Sequence, residues 1–343
     1  MNTGMERLVA AINGEKADRI PIFCNLLDQG AAELGIDSLQ EYYSRGDHVA
    51  EAQLRMREKY GHDNVWSLFY VGREAELLGC EKIVFADKGP PNVGDFVIKS
   101  YDDIVDLEIP QNIYDHPGFA ENRKCLEILR REVGGRQPIC AYLTAGMTLP
   151  AILMGMDKWL ELLLMGPHDI RDLLLEKCTL FFQREIEAFR KGGADVLVYS
   201  NPFGSTDFVS LKQFEQLSLP WMKRDIAPGG VGGLVYYCGS SRFNKVIERV
   251  IGELGIGVFY LSPKDDIAEA KRIIDGRALT CGVINDIMLV SWTREEIRAE
   301  VKRMLEAGMP GGKFLFGTLV MPYDIPEANI RAMLEAACEY GSY

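Results

Sequence analysis

Short runs rich in apolar, β-branched and aromatic residues alternate with longer segments of helical period along the whole chain. Eight runs predict strands: 20–25 (IPIFCN), 64–70, 138–143, 195–200, 233–238, 257–261, 278–283 and 313–317. Most are continuously apolar rather than alternating, as expected of strands covered on both faces of a parallel sheet. Between them lie helical patterns at 47–60, 116–133, 167–192, 210–226, 241–254, 265–275 and 293–308. Asp265-Asp266 precedes one of these, and a Thr293-to-Glu296 capping box opens another. Eight strands alternating with helices predict an α/β fold, a closed (β/α)8 TIM barrel, with the segment before Ile20 forming a helix across its bottom. An open doubly wound sheet is the alternative, but no G-x-G-x-x-G follows the first strand. Residues 81–99 predict a β-hairpin with a Gly89-Pro90-Pro91 turn, inserted after strand 2. No linker, repeat or low-complexity tract divides the chain, so 1–343 reads as one domain.

Composition narrows the class. Of the 343 residues, 47% are hydrophobic and 26% charged, which suits a water-soluble protein with a large core. The formal net charge of −12 argues against nucleic acid, whose phosphates need a basic face. No apolar run is long enough to span a bilayer, and the N-terminus lacks the apolar centre of a signal peptide. The eight cysteines are scattered singly, without C-x-x-C spacing, which predicts reduced thiols in a cytoplasm.

In a barrel of this kind the active site lies at the C-terminal ends of the strands. That rule selects Asn25, Tyr70, Tyr142, Asn201, Tyr236, Cys238, Tyr260, Asn285, Asp286 and Thr318 as candidates.

The order of segments resembles the uroporphyrinogen decarboxylase superfamily. The similarity is carried by A-D-R-I-P-I-F (17–23), L-T-A-G-M-T-L-P-A-I-L-M-G (143–155), G-G-A-D-V-L-V-Y-S-N-P-F-G-S-T-D-F (192–208), G-V-I-N-D (282–286) and F-G-T-L-V-M-P-Y-D-I-P-E-A-N-I (316–330). The resemblance implies either a porphyrinogen decarboxylase or a cobamide methyltransferase that exchanges a methyl group with a corrinoid protein. Decarboxylases of the family carry an arginine-rich segment after strand 1 that grips the substrate's carboxylates. Here the segment is C-N-L-L-D-Q-G (24–30), with no arginine, in a chain already negative. Uroporphyrinogen is therefore disfavoured as substrate.

Family members that methylate a thiol hold zinc through a His-x-Cys after strand 5 and a Cys after strand 8, and the zinc turns the thiol into a thiolate. In this sequence Tyr236 replaces the histidine, Cys238 is kept, and Thr318 stands at the second cysteine. One ligand of three survives, so a family-type zinc site is disfavoured; Cys238 is its one remaining ligand.

What the mouth offers instead is a set of phenols, amides and a thioether: Tyr70, Tyr142, Met147, Phe203 and Tyr260, with Cys238 and Thr318, would line a pocket for a flat, apolar substrate. In the half-reaction that delivers methyl to cob(I)alamin, the leaving group needs help, and a tyrosine or a protonated aspartate supplies it without a metal. Tyr236 and Asp286 are the candidate acids, with Asn201 and Asn25 orienting the substrate oxygen. The expected activity is methyl transfer from a small methoxy-aromatic to a corrinoid carried by a partner protein. No corrinoid-carrier signature D-x-H-x-x-G is present in the chain itself. A thiol methyltransferase with an atypical zinc site, and a decarboxylase or binding barrel, stay open, as does assembly into a homo-oligomer. Period-two alternation leaves open which of Tyr236 and Tyr237 faces the barrel. Cys238, Asp286, Asn201, Met147, Phe203 and Tyr142 each have a plain alternative as core or turn residues.

Overall fold

A computed structural model describes residues 2–86, 90–239 and 241–343. Among the described residues, ten strands occur in the order β1 (Ile22–Phe23), β2 (Val65–Trp66), β3 (Ile83–Val84), β4 (Asn92–Val93), β5 (Ile139–Thr144), β6 (Val196–Ser200), β7 (Leu234–Tyr237), β8 (Val258–Tyr260), β9 (Leu279–Val283) and β10 (Phe314–Gly317). Eight of them form one parallel sheet, ordered β1-β10-β9-β8-β7-β6-β5-β2, while β3 and β4 pair antiparallel as a separate hairpin. Each of the eight falls within a stretch expected from the apolar runs, apart from Thr144 at the end of β5. The hairpin also lies where expected, after β2, although Gly89 of its turn is outside the described residues.

The sheet curls into a (β/α)8 barrel. Its seam, between β1 and β2, is stitched partly by side chains. The Asp63 N–H donates to the Ile22 carbonyl at 2.8 Å, the Cys24 N–H to Asn64 Oδ1 at 2.9 Å, and Trp66 Nε1–H to the Cys24 carbonyl at 3.0 Å. These bonds satisfy backbone groups that a neighbouring strand would otherwise have to meet.

Two apolar regions follow from strand alternation. The outward faces (Ile22, Ile139, Leu197, Tyr199, Tyr236, Phe259, Phe314) meet the ring of helices, among them Phe181 and Phe182 of the helix His168–Gly192. The inward faces (Phe23, Trp66, Cys140, Tyr142, Val198, Val235, Tyr260, Cys281, Leu315) fill the barrel. At the bottom, helix α1 (Gly4–Asn13), begun by a Thr3–Glu6 capping box, lays Leu8 and Ala11 against this inner set. The expected cap over the barrel base is therefore present.

The base is also held by charge. Asp63, almost wholly buried, receives Arg7 Nη1 at 2.7 Å, Arg19 Nη1 at 2.5 Å and the Ile22 N–H at 2.8 Å, and Arg7 reaches on to Asp18 at 2.7 Å. With Arg19 Nη2 also on Oδ1 at 3.0 Å, each oxygen of this buried carboxylate receives two donors, the condition under which such a charge is tolerated.

The expected helix 241–254 begins only at Ile247. Asp265 explains the delay: its carboxylate accepts the N–H groups of Phe243, Asn244 and Ser262, which holds the chain after β7 in a loop. The helix Arg294–Gly308 starts at the expected Thr293–Glu296 capping box. Among the described residues no helix is long and apolar enough to cross a membrane.

Candidate active site

The decisive local fact is the register of β7. Tyr236 pairs with Tyr199 on one side and Phe259 on the other, both outward residues, and its ring lies 5.8 Å from Tyr199 and 5.1 Å from Phe243. Its neighbour Tyr237 therefore turns inward, with ring centroids 6.3 Å from Tyr142 and 6.0 Å from Tyr260. The expectation that Tyr236 is the mouth's acid is corrected here. Its phenol is sealed in the helix-facing layer, because strand alternation gives the two tyrosines opposite faces.

The same parity removes other candidates. Cys238, two residues on from Tyr236, is buried in the outer core and donates its S–H to the Ser241 carbonyl at 3.1 Å. Asn201 is fully buried with Thr148, whose hydroxyl donates to Asn201 Oδ1 at 3.3 Å, and its amide lies beside the Tyr236 phenol. Thr318 accepts the Asn25 N–H at 2.8 Å and lies beside Cys24 of the outer core. Met147 is core, its carbonyl accepting from Trp159 Nε1. Phe203 stacks on Phe208 at 4.5 Å and sits against the outer core. Tyr70 packs on Tyr43 and Phe85, and its hydroxyl bonds to Glu76, so it belongs to the wall between helices and hairpin. Tyr236 and these six residues stand at or a few positions beyond strand ends, but such positions face outward as well as inward.

Four candidates do converge: Asn25, Tyr142, Asp286 and Tyr260, joined by Tyr237, which the candidate list lacked. Tyr142 is the hub. Trp66 and Phe69 stack on its ring, each at 4.9 Å, and Tyr237 meets it edge-on. The Asn25 amide lies beside the Tyr142 hydroxyl, yet both its polar atoms lack a hydrogen-bond partner although the residue is wholly buried. Such an orphaned amide costs about 1–3 kcal/mol in a folded protein and needs a reason.

Asp286 follows β9, close enough to Tyr142 and Tyr237 for its negative charge to oppose ionisation of both phenols. Burial pushes its carboxyl up to about 6, against the opposing pull of its own backbone amide and that of Ile287. The Ile287 N–H donates to Oδ1 at 3.1 Å. Burial likewise raises the phenols of Tyr142, Tyr237 and Tyr260, so all three are neutral donors at physiological pH. Directly after Asp286, Ile287 and Met288 stand exposed on the rim.

The family zinc site fails on geometry. Tyr236, Cys238 and Thr318 all lie on the outer side, and burial pushes the Cys238 thiol well above its ordinary range rather than toward thiolate. Among the described residues no group of three or more His, Cys, Asp or Glu side chains is placed to hold a metal ion. These residues do not fit a zinc thiolate centre.

The uroporphyrinogen decarboxylase (URO-D) family matches residues 3–340. The chain is similar to methylcobamide:CoM methyltransferase MtbA of Methanosarcina mazei, 24% identical over 98% of each chain. It also resembles uroporphyrinogen decarboxylase of Geobacter sulfurreducens, 24% identical over 72% of each. A third relative is the methylated-thiol–coenzyme M methyltransferase of M. mazei, 22% identical over 98% of this chain and 89% of the other. Among solved structures, a methyltransferase from M. mazei superposes with a TM-score of 0.84 at 21% identity, covering 99% of both chains.

Proposed function

Because the chain belongs to the uroporphyrinogen decarboxylase family, we propose that its barrel mouth is a methyltransferase site serving a corrinoid-bearing partner protein and taking the methyl group from a small methoxy-aromatic donor. Two relatives named as methyltransferases, each aligned over nearly the whole chain, support the transfer chemistry. The absence of an arginine clamp in 24–30 speaks against a polycarboxylate substrate. The observation that carries the choice of donor is Asp286, a buried carboxyl with a pKa of about 6, set beside neutral phenols and the unpartnered Asn25 amide.

A corrinoid on its carrier supplies the nucleophile that takes the methyl group. The chain's own residues deal with the oxygen left behind. The Trp66, Phe69, Tyr142 and Tyr237 rings form an apolar aromatic wall for a flat substrate. Asn25 offers a donor and an acceptor to the ether oxygen or a neighbouring hydroxyl. As the methyl–oxygen bond breaks, its electron pair stays on oxygen and Asp286 delivers a proton to it, so a neutral phenol leaves in place of a phenolate. The exposed Ile287 and Met288 give the partner an apolar step beside the acid.

The second reading, a thiol substrate, is favoured by the relatives' names. One experiment separates the two. Purified protein is incubated with cob(I)alamin and with either methoxyphenols or methylated thiols, and methylcobalamin is followed by absorbance. Turnover of methoxyphenols is expected. Turnover confined to methylated thiols, with about one zinc held per chain, would replace this reading with the second.

A further inference from the structure

Two buried carboxyls take no part in the chemistry above. Glu74, on the short helix Arg73–Leu77 that follows β2, is 1% exposed, and Glu185, on the buried face of the helix His168–Gly192, is 3% exposed. Glu74 Oε1 accepts the hydroxyl of Thr144, the last residue of β5, at 2.7 Å. Its Oε2 and the Oε2 of Glu185 are buried with no hydrogen-bond partner. The charge of Glu74 bears on Glu185, so the two carboxyls are neighbours across the helix contact.

The surrounding elements bring them no free cation. Arg73 is the cation whose charge reaches Glu74, and its guanidinium is engaged by Asn122 Oδ1 at 3.0 Å, Glu76 at 3.1 Å and the Gly118 carbonyl. Asp225, packed against the helix His168–Gly192, is occupied by the Thr179 and Tyr199 hydroxyls and the Gly146 N–H. The helix Leu149–Met154 carries no titratable side chain, Ala120–Val133 buries Asn122 and Cys125, and Tyr101–Asp106 buries Ile104. Burial, and then the charge of Glu74, holds the Glu185 carboxyl well above the ordinary glutamate range, while the Thr144 hydroxyl favours a negative Glu74. Two carboxylates side by side in a dry interior do not both ionise. A protonated carboxyl, unlike a carboxylate, has an O–H to donate. One proton on Glu185 thus supplies what both Oε2 atoms lack.

We propose that Glu185 keeps its proton in the folded protein and donates it to Glu74, a proton-held latch that ties the helix Arg73–Leu77 to the helix His168–Gly192 and lets go as pH rises. The short helix in turn seats the β3–β4 hairpin: a Cβ on Gly72 would stand 2.9 Å from Ile83 and 3.0 Å from Val93. Release of the latch therefore loosens the hairpin as well. The folded protein holds one more proton than the unfolded chain, so the stabilisation is complete below the unfolded value of about 4.3 and lost as pH climbs through the raised folded value. The latch needs no corrinoid and does not depend on the methyl-transfer reading.

The test is denaturant unfolding of the full chain between about pH 5 and pH 7, wild type against Glu185→Gln. The amide keeps an N–H donor and has no proton to lose, so the wild-type unfolding constant should rise about tenfold more per pH unit than that of the variant. Amide-exchange protection of residues 73–77, corrected for intrinsic exchange, should fall with rising pH in wild type and hold in Glu185→Gln. Equal pH slopes, or protection equally insensitive to pH in both proteins, would overturn the proposal. So would stabilisation of wild type but not the variant by millimolar K+ or Mg2+, since that would show two carboxylates sharing a cation. Should Glu185→Gln fail to fold by circular dichroism, carboxyl-carbon NMR of glutamate-labelled wild type decides. One glutamate still protonated near pH 7 is expected, and none would overturn the latch.

Discussion

Asp63 at the base of the barrel and Asn25 at its mouth, both deeply buried, are treated in opposite ways. At the base, Asp63 is ringed by two arginines and a backbone amide, all within 2.8 Å. At the mouth, Asn25 is just as deeply buried but neither of its side-chain polar atoms has a partner, and the Asp286 carboxyl is held near 6 by desolvation with no cation to offset it. Full satisfaction fits a group kept for stability, whereas an unmet amide set beside a raised carboxyl on the inward face fits one kept for something that binds.

The contrast can be broken most forcefully at Asp286. Asp286→Asn should lower the methyl-transfer rate by about 10²–10⁴-fold, the scale of a lost general acid, with the melting temperature little changed. Rates under single-turnover conditions check this. The mirror experiment is Asp63→Ala, which takes from Arg19 its carboxylate and leaves Arg7 with Asp18 alone. It should cost about 3–5 kcal/mol in denaturant unfolding while sparing the rate of the protein that remains folded.

Asn25→Leu sharpens the contrast, since removing an orphaned amide should raise stability by about 1–3 kcal/mol as turnover falls. If stability drops instead, the amide is satisfied in solution and the mouth loses its mark of function. The pH profile comes next. An acid must be protonated to act, so kcat should decline about tenfold per unit as pH rises above about 6, and Asp286→Asn should flatten that limb. The same raised pKa gives a stability contribution that is present below the unfolded value of about 3.9 and lost as pH climbs through about 6. The smallest effect is expected at Tyr236→Phe, whose buried hydroxyl has no partner: the rate should be unchanged and the stability within about 1 kcal/mol. Tyr237→Phe, one residue away, should slow turnover measurably.

Much of the architecture was legible from periodicity alone. Eight apolar runs marked the eight barrel strands, because strands covered on both faces have few polar positions to interrupt them. The strand-end rule likewise named Asn25, Tyr142, Asp286 and Tyr260, which the barrel brings near one another. That same uniformity concealed the facing of each side chain. In an amphipathic strand polar residues announce the outer face, but V-Y-Y-C is apolar or aromatic on both, so Tyr236 and Tyr237 were indistinguishable. The missed residue, Tyr237, had one available signal. The family resemblance sets Tyr236 and Cys238 where zinc ligands would be expected, and the fold places both in the outer core, which leaves the next residue to face inward.

The sequence by itself determined the order of elements, the barrel class and the lack of any arginine in 24–30, and it set tyrosine and threonine at two of the three positions where the family resemblance led to the expectation of zinc ligands. All of these depend on residue identity and local spacing, which a linear chain carries in full. Only the tertiary structure decided which of the two phenols faces into the barrel, that Cys238 is sealed behind the strands and that the Asn25 side chain has no partner. Those outcomes depend on strand register and on distances between residues up to hundreds of positions apart. A pattern of period two fixes alternation along each strand but not its phase, and the phase is set when neighbouring strands pair and the barrel closes.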